Sequence, residues 1–215
     1  MDKHLTQQLQ TLSHAMFTKG FYGIHHGSLS AKTANNRFMI NTKDAIFDEM
    51  VEKDYIELTH VQDYRWHQAS VDSLIHQQIY SHISEAKFIT YAMPPYTTAY
   101  ALENDEIVPR DFFACQMLGH IQVFDPKGFD DWYDRASSEI FLEFKRSKKS
   151  ILVIKGYGVY AYDRDILQLA KKIAVLENSC RLLVLANNLT SNSGHNQLPL
   201  VKPNALNGLK FSGPS

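Results

Sequence analysis

The stretch from Gly27 to Asn41, GSLSAKTANNRFMIN, has the pattern of two strands joined by a polar turn. The first predicted strand, from Gly27 to Lys32, leads into the turn at Asn35-Asn36. The second, from Arg37 to Asn41, contains three consecutive apolar residues, Phe38, Met39 and Ile40. Asparagine is favoured in turns because its side chain hydrogen-bonds to nearby backbone and tolerates left-handed conformations. The stretch therefore predicts a β-hairpin.

Further helices and strands are predicted on both sides of this hairpin. Apolar residues at helical spacing indicate amphipathic helices, and short apolar runs between turn residues indicate strands. Helices are predicted near residues 5–16, 71–83, 96–102 and 165–183, and strands near 88–91, 151–154 and 159–162. Beyond Ala186 the composition shifts to Asn, Ser, Gly and Pro without apolar periodicity. We therefore expect one domain over residues 1–187 and an extended or partly disordered tail over 188–215.

The bulk composition excludes several classes of protein. The chain has 215 residues, 44% of them hydrophobic, so one substantial core is expected. A formal net charge of -1 provides no positive field for nucleic acid or anionic lipid, so neither nucleic acid nor membrane is an expected partner. Polar residues interrupt the first 17 positions, which predicts a cytoplasmic protein without a signal peptide. Cys115 and Cys180 lie far apart in sequence and are expected to be reduced and buried.

Several short motifs resemble those of the class II aldolase/adducin family, in order over about residues 5–187. Gly27-Ser28-Leu29-Ser30 and Ile40-Asn41-Thr42-Lys43 resemble its G-N-x-S and I-T-P-S/T loops, which hold the substrate phosphate. Ser70-Val71-Asp72, followed by His76, resembles its S-S/T-E motif and the helix after it. The resemblance implies that Asp72 occupies the place of the acid/base glutamate. It also implies phosphate-binding positions at Ser28, Ser30, Asn41, Lys43 and Ser70.

The same resemblance implies the fold and the assembly. It predicts an α/β protein, a class II aldolase-like three-layer α/β/α domain with a mainly antiparallel central sheet. Members of the family commonly form tetramers with sites at subunit interfaces, so a homo-oligomer is expected and a tetramer is favoured. A small phosphorylated ligand or a protein partner is the expected binding partner.

The chain departs from the family at the metal ligands. Tyr91-Ala92-Met93 stands where the family has H-x-H, and Gly156-Tyr157-Gly158 where it has H-H-G. Zinc prefers neutral imidazole in such sites, whereas methionine is a weak ligand and tyrosine must lose a proton of pKa about 10. We therefore expect no cofactor, although the family would imply zinc. Without a Lewis acid the enediolate of an aldol cleavage lacks a stabilising charge.

Three functional hypotheses follow, and whether the chain is an enzyme stays open. The first is a degenerate, non-catalytic binding or scaffold module whose former metal pocket is filled by Tyr91, Met93, Tyr96 and Tyr157. The second is a sugar-phosphate lyase or isomerase that uses Asp72 as acid/base with a non-standard metal or none. The third is a different metal site, which requires histidines such as His25, His76 or His82 to converge. His25 and His26 are otherwise expected on the surface, and Asp72 and His76 in a helix-surface or capping contact.

Overall fold

An eight-stranded sheet organises residues 3–193, the part of the chain that this computed structural model describes. The strands are β1 (Ser28–Ala34), β2 (Arg37–Asn41), β3 (Tyr55–Thr59), β4 (Phe88–Ala92), β5 (Glu106–Ile107), β6 (Ile121–Phe124), β7 (Ile151–Ile154) and β8 (Gly158–Asp163). The helices are α1 (Lys3–Thr18), α2 (Ser73–His82), α3 (Pro95–Glu103), α4 (Phe112–Met117), α5 (Trp132–Ser147) and α6 (Ile166–Ser193).

The strand order is β3-β2-β1-β4-β8-β7-β6-β5. Every neighbouring pair is antiparallel except β6 and β7, which run parallel. The predicted α/β class with a mainly antiparallel sheet is therefore confirmed. The predicted hairpin is also confirmed, because β1 and β2 pair around Asn35-Asn36 with Ser30 opposite Ile40.

The two faces of the sheet are covered by different helices. Alternate side chains of a strand point to opposite faces, so Met39 belongs to one core and Phe38 and Ile40 to the other. Leu9 of α1 and Ile173 of α6 pack in the first core. The second core contains buried residues of α2 and α5, which include Ile75, Ile79, Ile140 and Phe144. Helices on both faces produce the predicted three layers.

Strand register places three segments at one edge of the sheet. Ser28 at the start of β1 lies opposite Tyr91 near the end of β4. Ala92, the last residue of β4, lies opposite Val159 near the start of β8. The motifs that are distant in sequence therefore meet at this edge.

Some predictions made from the sequence are wrong. Helix α6 continues to Ser193, so the composition shift after Ala186 does not end regular structure there. The remainder of the predicted tail, 194–215, lies outside the described residues. Cys180 is buried as predicted, but Cys115 is exposed because it lies on an outer position of the short helix α4. Within residues 3–193, no helix is long and apolar enough to cross a membrane.

Candidate functional site

A cleft of about 420 Å³ opens at the edge where β1 begins, β4 ends and β8 begins. It brings together several positions that the sequence singled out but that lie far apart along the chain. Its lining includes Asn41, Lys43, Ser70, Asp72, Tyr91, Met93 and Tyr157. The gathering follows from the strand register and the loop that precedes α2. This cleft is the candidate site.

Asn41 and Ser70 form the backbone frame of one cleft wall. The Asn41 side chain accepts a hydrogen bond from the Leu29 amide at 2.9 Å and donates one to the Thr42 carbonyl at 3.0 Å. The Ser70 amide donates to the Asn41 carbonyl at 2.9 Å, and the Ser70 hydroxyl accepts from the Asp72 amide at 3.3 Å. Both residues therefore have structural partners, while Lys43 is exposed at the mouth of the cleft.

Ser28 and Ser30 are fully buried and do not line this cleft. The Ser28 hydroxyl lies 2.9 Å from Nε2 of His76, and the Ser30 hydroxyl lies 2.6 Å from Nδ1 of the same ring. The Ser30 hydroxyl also lies 2.8 Å from the hydroxyl of Tyr80. The structure thus pairs these two serine hydroxyls with a histidine, not with the open cleft. Any contact they make to a ligand would require a rearrangement of this network.

His76 is neutral in this setting. Burial without a compensating negative charge lowers its pKa to about 3. A neutral imidazole has one N–H donor and one acceptor nitrogen. Since both ring nitrogens face serine hydroxyls, one serine donates to the ring and the other accepts from it. The ring therefore connects Ser28 to Ser30 through a directional chain of hydrogen bonds.

Asp72 stands just before α2 with its carboxyl group in the cleft wall. Its side chain does not cap the helix, so the predicted capping contact is wrong. Instead, the Tyr160 hydroxyl donates to Oδ1 of Asp72 at 2.8 Å. Burial raises the pKa of this carboxyl group, and hydrogen bonds from Ser28 and Tyr160 offset part of that rise. A buried carboxyl group with a raised pKa beside a cleft is able to hold a proton and release it.

An aromatic wall is formed by Tyr91 and Tyr157, which stand where the motif resemblance implies metal ligands, together with the neighbouring Tyr160. The ring of Tyr91 lies 4.9 Å from that of Tyr157 and 5.0 Å from that of Tyr160, centroid to centroid. The Tyr91 hydroxyl donates to the Tyr157 carbonyl at 2.8 Å. This close packing depends on Gly158, whose φ is +141° and where an added Cβ would lie 2.5 Å from the Ala92 carbonyl oxygen.

The side chains at these positions do not fit zinc. Burial raises the pKa of the Tyr91 and Tyr157 hydroxyls, which favours the protonated form that binds zinc poorly. The Tyr91 proton is also engaged by a backbone carbonyl. Met93 offers only a thioether, a soft ligand that suits copper(I) better than zinc. The donor set therefore disagrees with the metal that the resemblance implies.

The remaining predicted residues are dispersed. His25 and His26 are exposed, as predicted, and they line the mouth of the cleft. The histidines do not converge as the third hypothesis requires, because both nitrogens of His76 face serines and His82 lines a different cleft. In residues 3–193, no three His, Cys, Asp or Glu side chains are grouped to hold a metal ion. Tyr96 is absent from the cleft lining, and its amide donates to Glu177.

Comparison with known proteins decides the family. Residues 7–184 match the family described as the Class II Aldolase and Adducin N-terminal domain. The chain belongs to this family. Residues 7–184 stop short of the last turns of α6, so the family domain comprises the sheet and most of the helices around it. No curated protein sequence matches the chain.

Solved structures agree with this assignment at the level of the fold. L-fuculose-1-phosphate aldolase from Thermus thermophilus superposes with a TM-score of 0.78 at 19% identity, covering 89% of this chain and 98% of that one. Another L-fuculose 1-phosphate aldolase gives 0.71 at 16% identity, with 88% and 89% covered. Sugar-phosphate aldolase from Thermotoga maritima gives 0.67 at 13% identity, with 86% and 97% covered.

Two tyrosines of the site were not identified from the sequence. Tyr160 lies in the alternating run of β8, where a strand pattern does not reveal that its hydroxyl meets Asp72. Tyr133 lines the cleft from α5 and is exposed. Its helix carries Trp132, Ala136, Ile140 and Phe144 at four-residue spacing, and this signal would have placed α5.

Proposed function

We propose that this protein is a binding module built on the class II aldolase fold, and that it does not catalyse zinc-dependent aldol cleavage. The observation that carries the proposal is the aromatic wall, in which Tyr91 and Tyr157 pack together and the Tyr91 hydroxyl bonds to the Tyr157 carbonyl. Aldol cleavage needs a charge that stabilises the enediolate oxygen. Protonated phenols and a thioether provide no ligand set for a zinc ion of that kind.

The ligand class that the cleft suits is a small phosphorylated molecule. Lys43 is exposed at the cleft mouth beside His25 and His26, and no carboxylate of the described residues lies within ion-pair distance of its ammonium group. An unpaired ammonium group attracts a phosphate dianion. The volume of about 420 Å³ lies in the range of small-molecule sites. The rings of Tyr91 and Tyr157 add an aromatic surface to the lining of the same cleft.

An activity assay with matched binding measurements tests the proposal. Cleavage of several ketose phosphates is measured with and without added zinc, and the melting temperature is recorded with and without inorganic phosphate. We expect no zinc-dependent cleavage, and a rise of the melting temperature in phosphate that K43Q reduces. Zinc-dependent cleavage by the purified protein would overturn the proposal. An absence of stabilisation by phosphate and sugar phosphates would remove the ligand class from it.

A second candidate function is supported by Asp72. Its carboxyl group lies in the cleft wall, its pKa is raised, and Tyr160 donates a hydrogen bond to it. These properties suit an acid/base group in an isomerase or lyase of sugar phosphates that works without zinc. The test is conversion of ketose phosphates by the native protein and by D72N. Turnover that D72N abolishes, with phosphate binding retained, would favour this function over a passive binding module.

We further propose that the chain assembles as a homotetramer, on the basis of its family. Multi-angle light scattering of the purified protein measures the assembly mass directly. A mass of four chains is the expected result, and a monomer over the whole concentration range would contradict it.

A further inference from the structure

A second cleft, of about 730 Å³, lies at the edge of the sheet opposite the candidate site. It is bounded by the end of α2, the last turns of α5 and the end of β8. Strand β8 connects the two clefts, since Gly158 is near the first and Asp163 lines the second. At about 3.3 Å per residue, five steps along the strand separate them by roughly 17 Å. The two clefts are therefore distinct.

The second cleft has an excess of positive charge. Its lining contains four cationic side chains and two carboxylates: Lys145, Lys148, Arg164 and Lys172, with Glu85 and Asp163. Each carboxylate already has a partner, because Asp163 pairs with Lys172 at 2.6 Å and Glu85 with Arg164 at 3.4 Å. Among the described residues, neither Lys145 nor Lys148 has a carboxylate within ion-pair distance. Two lysines are thus available to an anion.

The helix geometry directs these lysines into the cleft. Phe141, Phe144, Lys145 and Lys148 occur at spacings of three and four residues, which places them on one face of α5 and its end. The Phe141 ring lies 4.6 Å from the ring of His82, and the Phe144 ring lies 5.1 Å from that of Tyr162. These ring contacts form an aromatic floor in the cleft. The cleft therefore combines an aromatic floor with a cationic rim.

Basic residues in the last turn of a helix are common, because they offset the negative end of the helix dipole. Lys145 and Lys148 belong to the basic run Lys145-Arg146-Ser147-Lys148-Lys149, whose other two cations have ordinary roles. Arg146 pairs with Glu143 at 2.6 Å, and Lys149 donates to the Leu118 carbonyl at 2.6 Å. Within residues 3–193, the ammonium groups of Lys145 and Lys148 have neither a carboxylate partner nor a carbonyl partner. Both lysines border a cavity large enough for a small molecule.

We propose that this cleft is a second anion site, which binds a small phosphate-bearing molecule through Lys145 and Lys148. A multivalent anion suits the site because it meets two ammonium groups at once, and both carboxylates of the lining are already paired with cations. Arg164 stands at the same rim and is able to exchange its long contact with Glu85 for a phosphate oxygen. The site is independent of the function proposed for the first cleft.

Calorimetric titration of the whole 215-residue chain with inorganic phosphate and with pyrophosphate, at constant ionic strength, tests the proposal. The decisive variant is K145Q/K148N, because glutamine keeps helix propensity at 145 and asparagine tolerates the φ of 55° at 148. K171Q is the control, because it removes a lysine charge from α6 outside the cleft. K43Q reports on the first cleft. Melting curves establish that each variant is folded.

The expected result is that K145Q/K148N weakens pyrophosphate binding about tenfold or more, while K171Q and K43Q leave that component unchanged. Binding that persists in K145Q/K148N, or that K43Q alone removes, would overturn the proposal, as would the absence of any binding at constant ionic strength. If the native protein shows the component that depends on Lys145 and Lys148 but none that K43Q removes, the second site stands and the function proposed for the first cleft is weakened.

Discussion

Asp72 and His76 are four residues apart, and each has one hydrogen-bond partner of its own and one that they share. Asp72 is bonded by Tyr160, and His76 lies between Ser28 and Ser30. Ser28 connects the two groups, because its hydroxyl also lowers the pKa of Asp72. The ionisation of the carboxyl group is therefore set mainly by burial and then tuned by two hydroxyl groups.

Replacing Tyr160 with phenylalanine removes the phenol that favours the charged form of Asp72. We expect the pKa of Asp72 to rise further, and the unfolding free energy to fall by about 1–2 kcal/mol because a buried acceptor loses its donor. Carbon-13 NMR titration of the carboxyl group and chemical denaturation measure the two effects. Y162F is the control, since Tyr162 lies on the same strand near its far end, away from Asp72. An unchanged Asp72 pKa in Y160F would contradict the assignment.

His76 makes stability depend on pH in a defined direction. Its pKa is about 3 in the folded protein and about 6.5 in an unfolded chain, so the unfolded state binds more protons between these values. The contribution of neutral His76 to the unfolding free energy is fully present above about pH 6.5. It is lost as the pH falls from there towards 3, with a slope of up to about 1.4 kcal/mol per pH unit. Denaturation of the native protein and of H76Q at several pH values measures this slope. A slope that is equal in H76Q and in the native protein would show that His76 is not its source.

At the scale of elements, α6 supports the helix that follows the candidate site. Glu177 of α6 is buried and accepts hydrogen bonds from the amides of Tyr96 and Thr97, at 2.9 and 2.8 Å, and from the Thr97 hydroxyl at 2.9 Å. These amides belong to the first turn of α3, where the helix dipole favours a negative charge. The carboxylate thus caps α3 from another helix and holds the segment after Met93 in place.

The variant E177Q should destabilise the protein by about 1–3 kcal/mol, because an amide group accepts fewer hydrogen bonds and carries no charge. Chemical denaturation measures the loss. E103Q is the matched control, since Glu103 is exposed at the other end of α3, and its removal should change stability little. Equal stability of E177Q and the native protein would refute the capping role.

A local sequence pattern predicts a local helix, strand or turn, but it does not predict contacts between distant segments. The hairpin around Asn35-Asn36, helix α1 and strand β4 were predicted because each has its own periodicity or turn residues. The strand order and the partners of Ser28 and Ser30 depend on contacts between distant segments, such as β1 with α2, which periodicity does not encode. The resemblance of motifs provided the mainly antiparallel sheet but not the Asp72–Tyr160 contact.

At the scale of the whole molecule, the chain has the class II aldolase fold, and tyrosine and methionine stand where the motif resemblance implies metal ligands. The sheet brings Tyr91, Met93 and Tyr157 to one cleft, as the motifs predict. The tyrosines pack against each other and against Tyr160, so this edge gains aromatic contacts worth about 0.5–1.5 kcal/mol per pair beyond area burial. The edge is therefore a stabilising part of the protein.

The most direct test of whether Tyr91, Met93 and Tyr157 form a metal site is the zinc content of the purified protein, measured by mass spectrometry after equilibration with zinc and removal of the excess. We expect no stoichiometric zinc, because the tyrosine hydroxyls stay protonated and Met93 is a poor zinc ligand. One tightly held zinc ion per chain, lost in Y91F or Y157F, would contradict this expectation and restore these positions as a metal site.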